Sequence, residues 1–337
     1  MNRLLNRPEE SMNEMIDGYI QCYPDKYERL NGYKVILRKN LEDKVSVIIG
    51  AGGGNEPWPI GYVGEGMADA CACGDVFTAP AARAILNTLR SVPNKDGVLC
   101  VATNHAGDVL NFELVAELAE MEGIKTRRVY VADDITSADL TEKRERRGIA
   151  GVSLVLKIAA AAAKTGLTLD EVAEVAQKVS DNTYTCSVTT SPAYVLETGK
   201  PAYDLPEGKI EYGMGFNGEM GIERTDISSA DKIAEKIINM IIEDANLKKD
   251  DEVIYFLNPF MATTFIESYI IAGKCLKIFA DRGIKVYASH VDTMFATQGA
   301  GGFSVTILKV NEKIKEYYNK PVNSPSFRYW EQGDRDD

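Results

Sequence analysis

Three polar, glycine-dense segments of this chain carry the residue types from which a small-molecule site can be built. The first, residues 50–66, reads Gly-Ala-Gly-Gly-Gly-Asn-Glu-Pro-Trp-Pro-Ile-Gly-Tyr-Val-Gly-Glu-Gly and follows an apolar run at 45–49. Glycine lacks a Cβ, so such backbone reaches positive φ and can bring its N–H groups close to a small polar ligand. Gly52, Gly53, Gly54 and Asn55 are therefore candidate substrate-binding residues. The second segment, Thr103-Asn104-His105-Ala106-Gly107-Asp108, ends on a carboxylate that can accept a proton or cap a helix expected at 111–122. The third, residues 213–222, holds Asn217 and Glu219 among four glycines.

Phosphate chemistry is the first use to test for the glycine loop. The spacing fits neither G-x-G-x-x-G opening a helix nor G-x-x-x-x-G-K-[ST], because no lysine follows and Pro57 and Pro59 block helix entry. A tight turn without a ligand is the competing reading.

These segments need strands to carry them. Strand-like runs at 45–49, 97–102 and 126–131 alternate with helix-like runs at 81–91 and 112–122, the pattern of βαβ units on a parallel sheet whose ligands lie beyond the carboxyl strand ends. Helices at 148–165 and 169–181 follow, the second with Thr168 as N-cap ahead of Asp170 and Glu171. The second half alternates again, with strands at 183–190, 209–215, 252–257, 284–289 and 303–310 and helices at 229–245 and 263–282. The polar segment 191–208 reads as a link. A boundary near Asn182 divides the chain into α/β domains 1–181 and 182–337, each a central sheet flanked by helices. All three polar segments fall at strand ends and are expected to share one cleft. Asp133, Asp134 and the charges at 142–147 read as solvated loop residues.

Composition bounds the partners. The chain has 337 residues, 45% of them hydrophobic, and no apolar run near the roughly 20 residues needed to span a bilayer. Its start lacks the apolar core and cleavage site of a secretory signal, so a cytoplasmic location is expected. A net charge of −12 argues against nucleic acid and anionic membranes as partners. The six cysteines include one close pair, Cys71 and Cys73, without a second pair at metal-ligand spacing. Reduced thiols and no bound metal are expected.

The segments together resemble the dihydroxyacetone kinase family, in its dihydroxyacetone-binding (DhaK-type) subunit. Gly52 to Pro57 with Gly61-Tyr62-Val63-Gly64 is similar to that family's G-G-G-S-G-H-E-P…G-Y-x-G, Asn104 to Glu113 to its N-Y-T-G-D-x-L-N-F-x, and Gly215 to Ile222 to its G-x-H-G-E-P-G-I. Arg146-Arg147-Gly148-Ile149-Ala150-Gly151 and the run from Gly302 to Val310 extend the match over nearly the whole chain. The resemblance implies a two-domain, homodimeric, substrate-binding subunit of a kinase. A separate helical subunit then holds the nucleotide (ATP, or resident ADP recharged by a phosphotransferase-system carrier) with its magnesium. It also implies that Asp108 is the catalytic base for the attacking hydroxyl and that Thr78, Thr103 and His105 join the glycine loop in binding substrate.

The departures are chemical. Where the family has a histidine that captures the ketone as a hemiaminal, a histidine in the glycine loop and a lysine before the second motif, this chain has Asn217, Asn55 and Thr103. An amide nitrogen is delocalised and is no nucleophile, so covalent capture through Asn217 is excluded while hydrogen bonding to hydroxyls is retained. His105 stands where the family often has an aromatic residue, and can replace a lost base or merely pack; His290 reads as structural or near a dimer surface. The expected substrate is a small ketose or a polyol that needs no carbonyl. The alternative is a non-catalytic paralogue, a metabolite sensor or transcriptional co-regulator.

Overall fold

A computed structural model describes residues 3–329, which form two compact units, each built on its own six-stranded sheet. The first unit takes Arg3–Val131, Val152–Val179 and residues 312–329; the second takes Ala132–Gly151 and Ser180–Asn311. This differs from the contiguous division 1–181 and 182–337. Residues 132–151 leave the first unit early, because Asp133 is tied by a buried hydrogen bond to Thr185 on the strand beginning at Thr183, and Thr136 and Arg147 donate to the Gly213 carbonyl. The chain's last described residues return to the first unit, where helix Glu312–Tyr318 packs on helix Val152–Ala163.

The first unit contains α1 (Ser11–Cys22), β1 (Tyr27–Arg29), β2 (Val35–Arg38), β3 (Ser46–Gly53), β4 (Ala70–Val76), α2 (Ala82–Ser91), β5 (Val98–Thr103), α3 (Ala106–Met121), β6 (Thr126–Val131), α4 (Val152–Ala163) and the start of α5 (Leu169–Asp181). Its strand order is β1-β2-β4-β3-β5-β6. Strands β4, β3, β5 and β6 run parallel, as the alternating pattern predicts, and β1 and β2 add an antiparallel edge. The chain leaves β3 toward β4 on one side, while β5 lies on the other. The loops beyond β3 and β5 therefore diverge and open a crevice at the carboxyl ends, the place where such sheets bind ligands.

Every side chain of α4 is buried, including Lys157. Five alanines in a row, Ala159 to Ala163, let the helix lie close to β3 and β5. The Lys157 ammonium donates to the Lys320 carbonyl at 2.9 Å and faces the rings of Tyr318 and Phe327 at 5.2 and 5.8 Å. Thr168 caps α5 as its sequence predicts: its N–H donates to the Glu171 carboxylate at 2.8 Å, and the Glu171 N–H returns to its hydroxyl at 3.4 Å.

The second unit contains β7 (Thr183–Ser191), β8 (Lys209–Tyr212), β9 (Glu223–Asp226), α6 (Ala230–Asp244), β10 (Glu252–Pro259), α7 (Phe265–Asp281), β11 (Lys285–Val291) and β12 (Gly301–Lys309). Its sheet runs β11-β10-β12-β7-β8-β9 and is antiparallel except for the β10–β11 pair. The segment expected as a link, 191–208, joins β7 to its neighbour β8 inside this unit. The core beneath α6 and α7 is isoleucine-rich, with Ile233, Ile237, Ile238 and Ile241 packed near Val253, Tyr255 and Ile307. No helix among the described residues is long and apolar enough to cross a membrane.

Candidate functional site

Eight of the nine residues predicted for a site lie in the first unit, and Asn217 lies in the second. In the first unit the glycines close around protein before they can meet a ligand. A Cβ at Gly52 would stand 2.7 Å from the backbone nitrogen and oxygen of Thr78, one at Gly53 would enter the Met12 side chain, and Gly54 has φ +97° with Phe77 against it. The Gly54 N–H donates to the Glu56 carboxylate at 2.8 Å. These glycines thus let the loop at 75–79 press onto the end of β3, and one of the donors expected to face substrate is used internally. Glu56 was not predicted as a site residue; its position two residues after a glycine at positive φ is the signal for such a side-chain-to-backbone bond. Asn55 is buried beside this turn, and Thr78 is exposed at its rim.

The second segment meets the same rim. β5 ends at Thr103; Asn104 donates its N–H to the Val131 carbonyl at 3.0 Å, and α3 starts at Ala106 with His105 as its N-cap residue. The helix begins six residues before the expected Phe112, because Ala106 and Gly107 read as loop in sequence but sit in the first turn here. Asp108 is consequently inside that turn and is not the N-cap. Gly107 passes close to Ala79, where a Cβ would stand 3.1 Å from the Ala79 Cβ, and Asn111 donates to the Pro80 carbonyl at 3.0 Å. The crevice between β3 and β5 is therefore rimmed by Thr78, Ala79, His105 and the first turn of α3.

Asp108 has the telling environment. It is 6% exposed, Oδ2 meets the Thr103 hydroxyl at a long 3.4 Å, and Oδ1 is buried without a hydrogen-bond partner. Burial pushes its pKa up to about 7, and the Thr103 hydroxyl pulls weakly the other way. The helix N-terminus also favours the anion. The result is a carboxylate that titrates near neutrality with one oxygen open to a donor, the electrostatic state of a general base. His105, half-buried at the helix start, lies in the same segment.

In the second unit, the segment after β8 folds on itself. Gly213 and Gly218 adopt φ of +71° and +91°, the Gly215 N–H donates to the Glu219 carbonyl at 2.9 Å, and the Asn217 N–H donates to the Glu219 carboxylate at 3.1 Å. Asn217 is exposed at the tip. Thr297 holds the Phe216 carbonyl, and the Phe216 ring stacks on Phe295 at 4.8 Å.

The brace behind this tip corrects the solvated-loop reading for Asp133, Asp134, Arg146 and Arg147, whereas Glu142, Arg144 and Glu145 are exposed as expected. Asp133, Asp134 and Arg146 are fully buried. Asp133 accepts from Ile149 N–H at 2.7 Å, Gly151 N–H at 2.8 Å and the Thr185 hydroxyl at 2.5 Å. Asp134 accepts from Thr136 and Arg147, and Arg147 donates on to the Gly213 carbonyl at 2.9 Å. Arg146 makes a bidentate pair with Asp244 at 2.7 and 2.6 Å. Charge alone suggested solvent here; pairing at these distances is what permits burial.

Comparison with known proteins agrees with this arrangement. The Dak1 domain model matches residues 17–326. The chain is similar to "PTS-dependent dihydroxyacetone kinase 2, dihydroxyacetone-binding subunit DhaK" of Listeria innocua, with 35% identity over 97% of this chain and 99% of the relative. It is 30% identical to the L-erythrulose kinase of Pectobacterium atrosepticum over 97% of this chain and 56% of that longer protein. Among solved structures it is similar to the dihydroxyacetone kinase operon co-activator Dha-DhaQ, with 28% identity, a TM-score of 0.89 and coverage of 96% of this chain and 100% of that one. A family match that runs through both units shows that this chain belongs to the Dak1 domain family of dihydroxyacetone kinase-like proteins.

Proposed function

We propose that the chain is the substrate-binding subunit of a kinase that phosphorylates a hydroxyl of a small ketose or polyol. The observation that carries this reading is Asp108, buried at the carboxyl end of β5 with an unpartnered oxygen and a pKa near 7. In the reaction, the substrate hydroxyl oxygen forms a bond to phosphorus, the bond from phosphorus to the donor's leaving oxygen breaks, and the hydroxyl proton passes to Asp108. A loose phosphoryl-transfer transition state asks the protein mainly for positioning and late proton removal, which one placed carboxylate supplies. Thr103 orients that carboxylate. Thr78, Asn55 and His105 stand at or beside the rim as hydrogen-bonding groups, and the Asn217 amide offers hydrogen bonds but no covalent capture. The relative named for L-erythrulose supports a four-carbon substrate as readily as a three-carbon one.

The donor comes with a separate helical subunit carrying ATP, or ADP recharged by a phosphotransferase-system carrier, together with magnesium; the chain itself acts as a homodimer in the cytoplasm. The Listeria relative is named as one subunit of such a PTS-dependent kinase, which supports this division of labour. Asp108→Asn keeps shape while removing the base. Combined with a donor subunit, this variant should bind substrate nearly as the wild type does and turn over roughly 10²- to 10⁴-fold more slowly. Near-normal turnover would remove Asp108 from the mechanism.

The likeness to an operon co-activator favours a second reading, a metabolite-dependent co-regulator. In that case Asp108→Asn should alter ligand affinity with no turnover to lose, and no donor subunit should raise phosphorylation of any polyol above background.

A further inference from the structure

The glycine segment runs on past Asn55 to Gly61, Gly64 and Gly66, and beyond Glu56 it has no strand of its own, only a short 3₁₀ turn at Ile60–Tyr62. What holds it comes from the far end of the described chain. Residues 320–327 lie against all three of these glycines. A Cβ at Gly61 would enter the Ser326 side chain, and one at Gly66 would run into the Pro321 carbonyl. At Gly64 it would stand 2.6 Å from the Asn323 carbonyl oxygen, 2.7 Å from Ser324 Cβ and 2.8 Å from Ser324 Cα. Glu65 and Asn323 exchange backbone bonds at 3.2 and 2.9 Å, and the Ser326 N–H donates to the Gly61 carbonyl at 3.2 Å. The contact then passes inward: the Gly61 N–H donates to the Pro57 carbonyl at 2.8 Å, and Trp58 bridges back to Asn55 in an antiparallel step.

The segment 320–327 is itself pinned at both ends on one buried side chain. The Lys157 ammonium donates to the Lys320 carbonyl at 2.9 Å, and the Phe327 ring lies 5.8 Å from it. Between them the Ser324 hydroxyl donates to the Phe327 carbonyl at 3.2 Å and accepts the Phe327 N–H at 3.0 Å, closing the turn from which the Ser326 N–H reaches Gly61. We infer that residues 320–327, anchored on Lys157, form a strap that sets the position of the loop carrying Asn55. Ser324 and Ser326 are then positioning residues, acting on substrate through Gly61 and Asn55. This rests on the reading of Asn55 as a substrate-binding group. Such groups must be held to about 0.5 Å, and a loop without a sheet partner gains that precision from backbone pairs outside itself. Glycine at 61, 64 and 66 is what lets the strap approach so closely. The Gly-Tyr-Val-Gly that reads in sequence as part of a ligand loop is the strap's seat.

The three atoms nearest a Cβ at Gly64 all belong to the strap, so Gly64→Ala displaces it from the loop side, while Ser324→Ala loosens its turn from the other. Calorimetric titration with L-erythrulose and with glycerol reads affinity and the number of sites per chain separately. Gly64→Ala should weaken Kd roughly 10- to 100-fold with the number of sites unchanged, and Ser324→Ala roughly 3- to 10-fold. The double variant should lose no more than Gly64→Ala alone, because both act through one contact. Amide exchange should quicken in Gly64→Ala as far back as Asn55. A fall in the number of sites with Kd unchanged would make the strap a purely structural element and overturn the inference. Additive losses in the double variant, or faster exchange confined to residues 64–66, would overturn it too. A wild type that binds neither probe would instead sink the substrate-site reading, and exchange at Asn55 alone would then decide whether the strap holds the loop.

Discussion

Asp108 of the first unit and Asp133 of the second are both buried aspartates just past a parallel strand, yet they are held in opposite ways. Asp133 has three donors within 2.8 Å, two backbone N–H groups and a hydroxyl, and spends its charge closing the segment at 149–151 onto β7. Asp108 has one long hydroxyl contact and an oxygen with no partner. Burial raises both pKa values, but only Asp133 has the full set of bonds that offset it. A satisfied buried carboxylate is a brace; an unsatisfied one keeps a place for something else.

The sharpest way to break this contrast is to neutralise each residue. Asp108→Asn should produce the largest effect, the 10²- to 10⁴-fold loss of turnover argued above, in a protein that folds normally. In the wild type, kcat/KM should rise with pH through about 7, because the base acts only when ionised and its pKa lies there. Asp133→Ala should do the reverse. It strands two buried N–H groups and leaves the Thr185 hydroxyl only its bond to Thr306, so unfolding in urea should show a loss of about 3 to 5 kcal/mol, and any fall in activity should track the fraction unfolded. Equal behaviour of the two variants in both measurements would erase the distinction.

Much of this was legible in the sequence, and the misses have separate physical causes. β5, β6, β10 and β12 are apolar, β-rich runs, and their ends place Thr103 and Asp108 correctly. β4 reads Ala-Cys-Ala-Cys-Gly-Asp-Val and escaped notice because small residues carry little strand propensity, although the sheet buries most of it. β9 escaped as an exposed polar edge. The interleaving of the units was invisible because nothing local in 132–151 announces that its aspartates have partners from Thr183 onward. The glycine loop was recognised as special, but its glycines serve contacts with Thr78, Met12 and Phe77, long-range packing that spacing does not reveal.

The pH dependence of stability sharpens the comparison further. Asp108 has a folded pKa near 7 against an ordinary value of 3.8, so the folded state holds its proton longer than the unfolded chain does. Its contribution is greatest below about pH 4 and is lost as pH rises from about 4 to about 7. Asp108→Asn should therefore match wild type near pH 4 and exceed it at pH 8 by on the order of 3 kcal/mol, the helix N-terminus having offset part of the full penalty. Urea midpoints at the two pH values measure it; equal differences at both would mean that Asp108 is solvated when ionised.

The smallest effect belongs to Lys157, the buried cation of the same unit, and its sign runs the other way. Burial lowers its pKa from 10.5 to about 7, so below pH 7 the ammonium is charged in both states and its full desolvation cost is present. Between about 7 and 10.5 the unfolded chain binds more protons than the folded one, and stability rises with pH across that window. Lys157→Met keeps an unbranched side chain against Tyr318 and Phe327 but gives up the bond to the Lys320 carbonyl. That bond is worth about 1 kcal/mol net. At pH 6 relief from burying charge should outweigh it, leaving the variant ahead by about 1 to 2 kcal/mol; at pH 10 the lysine is largely neutral, and the lost bond should leave the variant level with wild type or behind it. Urea unfolding at pH 6 and 10 reads the crossover. A variant weaker by the same amount at both pH values would show that Lys157 enters the core already compensated, a satisfied brace like Asp133 and not a second strained group beside Asp108.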